Sequence, residues 1–416
     1  MQSLTLENIV GQVMLMKSTI PPHVTTWTQF VQYNFMRKLY SLHSEFPNLI
    51  LSFDNYKEVP VYKTIEQLKR TSSKKAEFDF SSGDKVPTRP PSAEVWMSAL
   101  QNRVFKTVVI SIICKIICTD YKPPIRPVVL VLDFCNATKI QYGHYRDSRE
   151  ALTTMGSMGE SDVKFMRYAT YFGGSILVES IDSDCICIAM LFVQQHEFNV
   201  NVFIKRMVSK SIDENRESET SKKRKLGEKR QIEYEIINIR KLIVMMHGAL
   251  NQAVGQNFAM SPQQKTNLLV LQFLFTGSDY SRKIPNIGAK FIWEHLHVTI
   301  PLLLLCVHEE EDEMKINIDL CIDTVFSELY RKKYSNYVKA SSVTFEEVIT
   351  DVKNGKLSDK TKSLLPNREF LKCNLFNILF VIKYWKLHNK SPETCLDGRH
   401  GFVENMGKIE FGTGSY

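Results

Sequence analysis

Two apolar runs in this chain stop at acids. Asn48 to Phe53 is followed by Asp54, and Ser175 to Ser180 is followed by Ile181-Asp182-Ser183-Asp184. A short apolar run bounded by polar residues reads as a buried strand. A carboxylate just beyond it stands where the carboxyl edge of a parallel sheet opens to ligands. Between the strands lie segments of helical period. Thr25 to Ser44 carries Trp27, Phe30, Val31, Phe35, Leu39 and Leu42 at three- and four-residue intervals, which predicts an amphipathic helix leading into the first run. The alternation predicts an α/β fold with a central, mainly parallel sheet flanked by helices.

The rest of the chain extends this pattern. An apolar helix is expected across Glu94 to Cys118, a buried strand at Pro127 to Phe134, and a helix opening near Glu160 and running to Tyr171. A strand at Asn199 to Met207 is expected to pair with Ile232 to Ile239 across a charged loop, 209–230. That loop holds Lys222-Lys223-Arg224-Lys225, which reads as a solvated excursion, a phosphate-contacting patch or a nuclear import signal. Thr71 to Pro91 has the Ser, Gly and Pro content of a mobile loop. A helix from Ser261 to Phe275 precedes Gly277-Ser278-Asp279, and a further helix starts after Gly288. From Pro301 onward the chain reads as mainly helical, with the acidic run Glu309 to Glu313 as an exposed loop.

Length and composition narrow the class. At 416 residues, one large α/β domain with insertions or a core with a helical extension are the expected forms. A formal charge of +8 favours a polyanionic partner without naming one. The longest apolar stretches are too short or too interrupted to span a bilayer, and the opening lacks a basic start followed by an apolar run. Nine cysteines, an odd number, point to reduced thiols inside the cell. Cys114 with Cys118, and Cys185 with Cys187, lack a second pair or histidines at zinc-site spacing and read as buried apolar thiols.

The acids carry the chemistry. Asp54, Glu160 with Asp162, Asp182 with Asp184, and Asp279 are six carboxylates in four places. Any one alone is an ordinary cap or strand terminator. Asp182 and Asp184, at strand period, would point to one face. As a set, scattered Asp and Glu at one sheet edge suit hard divalent cations such as magnesium better than zinc. Two such ions about 4 Å apart can activate a water and stabilise the leaving oxygen of a phosphodiester.

Three ordered blocks resemble the flap endonuclease/XPG nuclease superfamily. "GESDVKFMRYATYFGGSILVESIDSDCICIAM", Gly159 to Met190, is similar to its internal Gly-Glu-x-acid, helix, strand and Asp-x-Asp. "FLFTGSDYSRKIPNIGAKFIWEHL", Phe273 to Leu296, resembles its Gly-Ser-Asp-Tyr followed by a helix-hairpin-helix. "LILSFDNYKEVPVYKTIEQLKR", Leu49 to Arg70, is similar to its N-terminal motif, a strand-end Asp and then a helix with Lys and Arg seven residues apart, here Lys63 and Arg70.

The resemblance implies a 5′-nuclease/PIN-like core over 1–260 with a gate or arch segment at 64–120, a helix-hairpin-helix over 261–300 and a helical region over 301–416. It implies a magnesium-dependent 5′-3′ exonuclease or flap endonuclease holding two ions, with manganese able to substitute. Asp54, Glu160, Asp162, Asp182, Asp184 and Asp279 would be the metal ligands. Lys63 and Arg70 would polarise the scissile phosphate, and Gly277, Ser278, Ile287, Gly288 and Lys290 would grip duplex DNA. The partner would be branched or 5′-ended DNA, with replication or repair proteins, and no membrane; the protein would be a monomer in the nucleus or at a cytoplasmic viral replication site. One family feature is missing. No Asp stands on a strand ahead of the first helix, and Glu7 is the sole acid in Met1 to Val13. An incomplete gene product, a substitute role for Glu7, or a site with one ligand fewer would each account for this. A catalytically impaired junction-binding homologue and a PIN-like RNA-processing nuclease are the competing functional readings; the hairpin argues against the latter, since such an element contacts duplex backbone.

Overall fold

The computed structural model describes residues 6–54, 78–152, 161–180, 182–196, 199–209, 232–255, 259–278, 281–310, 313–386, 402–405 and 408–411. Eight strands make one sheet: β1 (Leu6–Val10), β2 (Asn48–Ser52), β3 (Val128–Phe134), β4 (Asn136–Tyr142), β5 (Asp147–Ala151), β6 (Ser175–Glu179), β7 (Asn201–Ser209) and β8 (Ile232–Asn238), in the order β5-β4-β3-β2-β1-β6-β7-β8. The five central strands, β3 to β7 in that order, are parallel. β4 and β5 fold back antiparallel at one edge and β8 does so at the other. The fold is therefore α/β with a mainly parallel sheet, and the expected pairing of the seventh and eighth strands is present.

Two apolar clusters lie on the sheet's two faces. On one, helix 27–43 and the Arg103–Asp120 helix pack Phe30, Phe35, Leu39, Phe105 and Ile113 against Leu49, Leu51, Leu130 and Leu177. On the other, the Ser161–Phe172, Asp184–Gln195 and Ile239–Val254 helices pack against Ile50, Val131, Val178 and Ile204. Alternate residues of β2 thus feed opposite cores, as period-two side chains in a sheet covered on both faces must. The helices after Pro262 join the second cluster through Leu271, Phe326 and Trp385. Among the described residues, no helix is long and apolar enough to cross a membrane.

Several expectations are corrected in detail. β1 is a central strand that the apolar pattern of the opening residues did not suggest. The helix expected across Glu94 to Cys118 is two, Ala93–Ala99 and Arg103–Asp120. Asn102 restarts the chain: its side chain accepts from the Phe105 N–H and donates to the Phe80 carbonyl, the use of Asn as a cap rather than an interior residue. Residues 78–91, the described part of the stretch read as a mobile loop, are irregular but pinned, with Phe80 buried and the Trp27 indole donating to the Pro87 carbonyl at 2.8 Å. Of the acidic run, Glu309, Glu310 and Glu313 lie on two paired strands, Val307–Glu310 and Glu313–Ile316, because Met314 and its neighbours supply apolar side chains that reach the core. The charged loop at 210–231 lies outside the described residues.

Candidate active site

In an open parallel sheet the ligand crevice lies beyond the carboxyl ends of the strands, where the winding reverses. Here β1, β2 and β3 step one way and β6 and β7 step the other, so the reversal falls between β1 and β6. Asp54 follows β2, one strand to one side, and Asp182 and Asp184 follow β6 directly. The acids predicted from the two apolar runs therefore flank the crevice that the topology creates.

Asp54 is buried and tied to the far side of the motif. One oxygen accepts the Ser161 N–H at 3.0 Å and the Ser161 hydroxyl at 2.9 Å. Ser161 opens the helix whose first turn carries Asp162, so this pair docks the second sequence block onto the first. From the opposite face, the first turn of the Arg103–Asp120 helix brings Lys106 near Asp54, with Arg103 beside Lys106. Burial holds the Lys106 ammonium below the usual lysine range, with the Asp54 charge opposing that shift and Arg103 adding to it.

Beyond β6, Asp182 and Asp184 are held by a turn, not by strand period. The Asp184 N–H donates to the Asp182 carboxylate at 3.0 Å, and Asp184 is the first residue of the Asp184–Gln195 helix. The strand argument for their common direction is thus replaced by an Asx-type turn at a helix start. Burial pushes the Cys185 thiol up, and Asp162, Asp182 and Asp184 all add to that shift while Ser180 opposes it. Asp162, Asp182 and Asp184 are thus each close enough to Cys185 for their charge to be felt at its sulfur. Cys187 is likewise buried with its thiol pushed up, in keeping with apolar thiols rather than metal ligands, and the eight cysteines among the described residues are all free.

Asp133 and Lys164 were missed in the sequence. Asp133 is the next-to-last residue of β3, paired with Ser52 two residues before Asp54, and the apolar run ahead of it reaches an acid as the other runs do, so the signal was present. Its carboxylate accepts from Lys164 Nζ at 2.8 Å and the Tyr168 hydroxyl at 2.6 Å, and Lys164 also donates to the Phe53 carbonyl at 2.7 Å. All three side chains are buried. With partners on both oxygens, Asp133 is a strut for the edge on which Asp54 stands. A buried ion pair of this kind is tolerated only with such additional hydrogen bonds.

Between the Pro262–Phe275 and Ala289–Glu294 helices, in the order expected of a helix-hairpin-helix, residues 276–278 and 281–288 are described and form no regular element. Gly277 has φ +86, and a Cβ there would lie 2.7 Å from Lys283 Cβ, so glycine is required. Ser278 closes the turn with Ser281, receiving the Ser281 N–H on its hydroxyl at 3.1 Å. Ile287 is fully buried and its N–H donates to the Ile284 carbonyl at 3.2 Å, which corrects its assignment as a DNA contact: it anchors the turn in the core. Gly288 has open space where a Cβ would project. Lys290 is exposed and 3.8 Å from Glu294. The C-terminal helices brace this turn: Asn374 bonds both the N–H and the carbonyl of Arg282, and the Tyr330 hydroxyl donates to the Pro285 carbonyl at 2.6 Å.

Four predicted site residues, Lys63, Arg70, Glu160 and Asp279, lie outside the described residues. Among the described residues, no group of three or more His, Cys, Asp or Glu side chains is arranged to hold a metal ion by itself. The donor set present is nonetheless all carboxylate oxygen, the chemistry that hard divalent cations accept. We find no protein-family model that matches the chain, and a search of curated proteins returns no significant match.

Proposed function

We propose that this chain is a magnesium-dependent 5′ nuclease that hydrolyses DNA phosphodiesters at flaps or free 5′ ends, with the 5′-nuclease/PIN-like arrangement of the sheet and a helix-hairpin-helix over 261–300. The observation that carries the reading is the placement of Asp54 and the Asp182–Asp184 pair on either side of the switch point, with Asp162 in the first turn of the helix that Asp54 anchors through Ser161. Bound magnesium would supply a water activated for attack and would neutralise charge on the phosphate. The carboxylates of Asp54, Asp162, Asp182 and Asp184, with Glu160 and Asp279, would hold the ions. Lys106, near Asp54, with Arg103 beside it, would place positive charge where the non-bridging oxygens of a scissile phosphate gather, the electrostatic role cations take in phosphoryl chemistry. Lys63 and Arg70 are proposed to share that role. Gly277 and Ser278 would hold the turn in shape, and Gly288 and Lys290 would present backbone and one ammonium group to the uncut duplex at a fixed distance from the cut.

Cleavage of a 5′-labelled flap and its unbranched duplex control, with magnesium, tests the reading for the native chain beside Asp182→Ala and Asp184→Ala. Cutting of the flap that both substitutions silence is expected. Equal cutting by the variants, or none by the native chain with magnesium or manganese, refutes it. One observation favours a second reading. β1 runs between the acid-bearing strands, yet its carboxyl end is Val10-Gly11 and carries no acid. A chain that binds the flap without cutting it would be a junction-binding homologue.

A further inference from the structure

Helices 27–43 and 103–120 do not cover their face of the sheet completely. At the β8 edge no helix among the described residues covers this face: Tyr234 is 52% and Ile236 58% exposed. The opposite face of the same strands is packed, with Val202 and Ile204 in the core beside Ile243 and Leu250. Register and period set what lies on the face that carries Tyr234. Glu179 of β6 pairs with Lys205 of β7, and Lys205 pairs with Ile236 of β8, whose same-face neighbour is Tyr234.

A connected polar chain crosses this face. Lys38 Nζ, from helix 27–43, donates to both oxygens of the buried Glu179 carboxylate at 2.7 Å. Lys205 Nζ lies 3.8 Å from the same carboxylate and 5.2 Å from the centre of the Tyr234 ring. Lys17 lies near them with much of its side chain exposed; partial desolvation of its ammonium lowers it below the usual lysine range, Glu179 opposes this, and Lys38 and Lys205 add to it. One lysine would neutralise Glu179. Three lysines leave positive charge in excess next to an open aromatic face.

Ammonium groups for phosphates beside an aromatic ring for a base are the chemistry that recognises single-stranded nucleic acid without regard to sequence. Glu179 ends the strand from which the chain reaches Asp182 three residues later, so a strand resting here runs on to the carboxylate edge. We infer that Lys17, Lys38, Lys205 and Tyr234 form a binding surface for a single-stranded stretch of DNA, its phosphates on the lysines and one base stacked on Tyr234. The inference rests on the nuclease reading for the identity of that strand as the single-stranded part of the substrate.

The test is fluorescence anisotropy of a short labelled thymidine oligonucleotide with the full chain in EDTA, where no cutting occurs. Tyr234→Ala and Lys17→Ala alter exposed side chains, and circular dichroism checks that both variants fold. Tyr234→Ala is expected to weaken binding about tenfold, the loss of one stacked base, while Tyr234→Phe keeps it. Lys17→Ala is expected to reduce the salt dependence by about 0.7 in the log-log slope, one phosphate contact fewer. Absence of binding by the native chain, or equal binding by folded Tyr234→Ala, overturns the inference. So does a dimer in sedimentation that Tyr234→Ala dissolves while oligonucleotide binding is unchanged, since the face would then cover a second copy. Binding without flap cleavage would sink the nuclease reading and leave this surface standing. Flap cleavage with unaltered oligonucleotide affinity in Tyr234→Ala would do the reverse.

Discussion

Ser161 gives both its backbone N–H and its hydroxyl to one oxygen of Asp54, at 3.0 and 2.9 Å, across 107 positions of sequence. The contact fixes the start of the Ser161–Phe172 helix against the end of β2 and leaves the second Asp54 oxygen out of this bond pair. Ser161→Ala removes the hydroxyl and keeps the N–H. The loss should be about 1.5 kcal/mol, that of a hydrogen bond to a charged acceptor, read as a lower urea midpoint at unchanged slope. An unchanged midpoint would show that the hydroxyl contributes nothing to docking the two motifs.

Lys164→Met should cost more, about 3 to 5 kcal/mol, because it strands the buried Asp133 carboxylate with the Tyr168 hydroxyl as its remaining side-chain donor. Removing both charges together, as Lys164→Met with Asp133→Leu, should recover part of that loss. A double-mutant cycle by chemical denaturation gives the coupling directly. Additive losses would mean that the pair does not act as a unit.

Stability should fall on mild acidification through His43. Its imidazole sits against the Tyr121 hydroxyl at 2.5 Å, and burial, opposed by the Val129 carbonyl, lowers its pKa from 6.5 to about 4. Above 6.5 both folded and unfolded states are neutral and the contribution is intact. Between 6.5 and about 4 the unfolded chain takes up a proton that the folded one refuses, so stability declines as pH falls, by about 3 kcal/mol in all. Urea midpoints measured across that range should show a slope that is shallower in His43→Gln.

Gly277→Ala should destabilise the turn by about 2 kcal/mol or more, since it combines positive φ with a contact 2.7 Å from Lys283 Cβ. Chemical denaturation reads the loss, and equal stability would show that the turn relaxes freely around the added methyl. Gly288→Ala meets open space at ordinary φ and should leave stability nearly unchanged, so the two glycines separate a structural need from room for a ligand.

The strands that end in Asp54 and Asp182 were legible because a short apolar run against a polar boundary is a local pattern. The two helices around Gly277 were legible for the same reason: Ser261 begins a capping box, and the glycine marks where the first helix must stop. β5 was not legible. Its residues, Asp-Ser-Arg-Glu-Ala, are all exposed and carry no alternating apolar face, so only hydrogen bonding to β4 makes them a strand. The break before Arg103 was also hidden, since the apolar period continues across it and Asn102 acts as a cap only with Phe80 beside it.

By itself the sequence determined the α/β class, most of the strand and helix positions and the acids at the ends of two strands, all consequences of side-chain period and of where apolar runs stop. The tertiary structure alone decided which acids share an edge and what each acid meets there. Asp54 and Asp133 stand near the ends of similar runs, yet one meets Ser161 with Lys106 nearby, and the other is locked by Lys164 and Tyr168. It likewise set Lys17, Lys38 and Lys205 around Glu179, four residues from separate stretches of the chain. Local pattern fixes the direction of a side chain along its own element, whereas charge pairing depends on distances between elements, and only sheet order and helix packing set those.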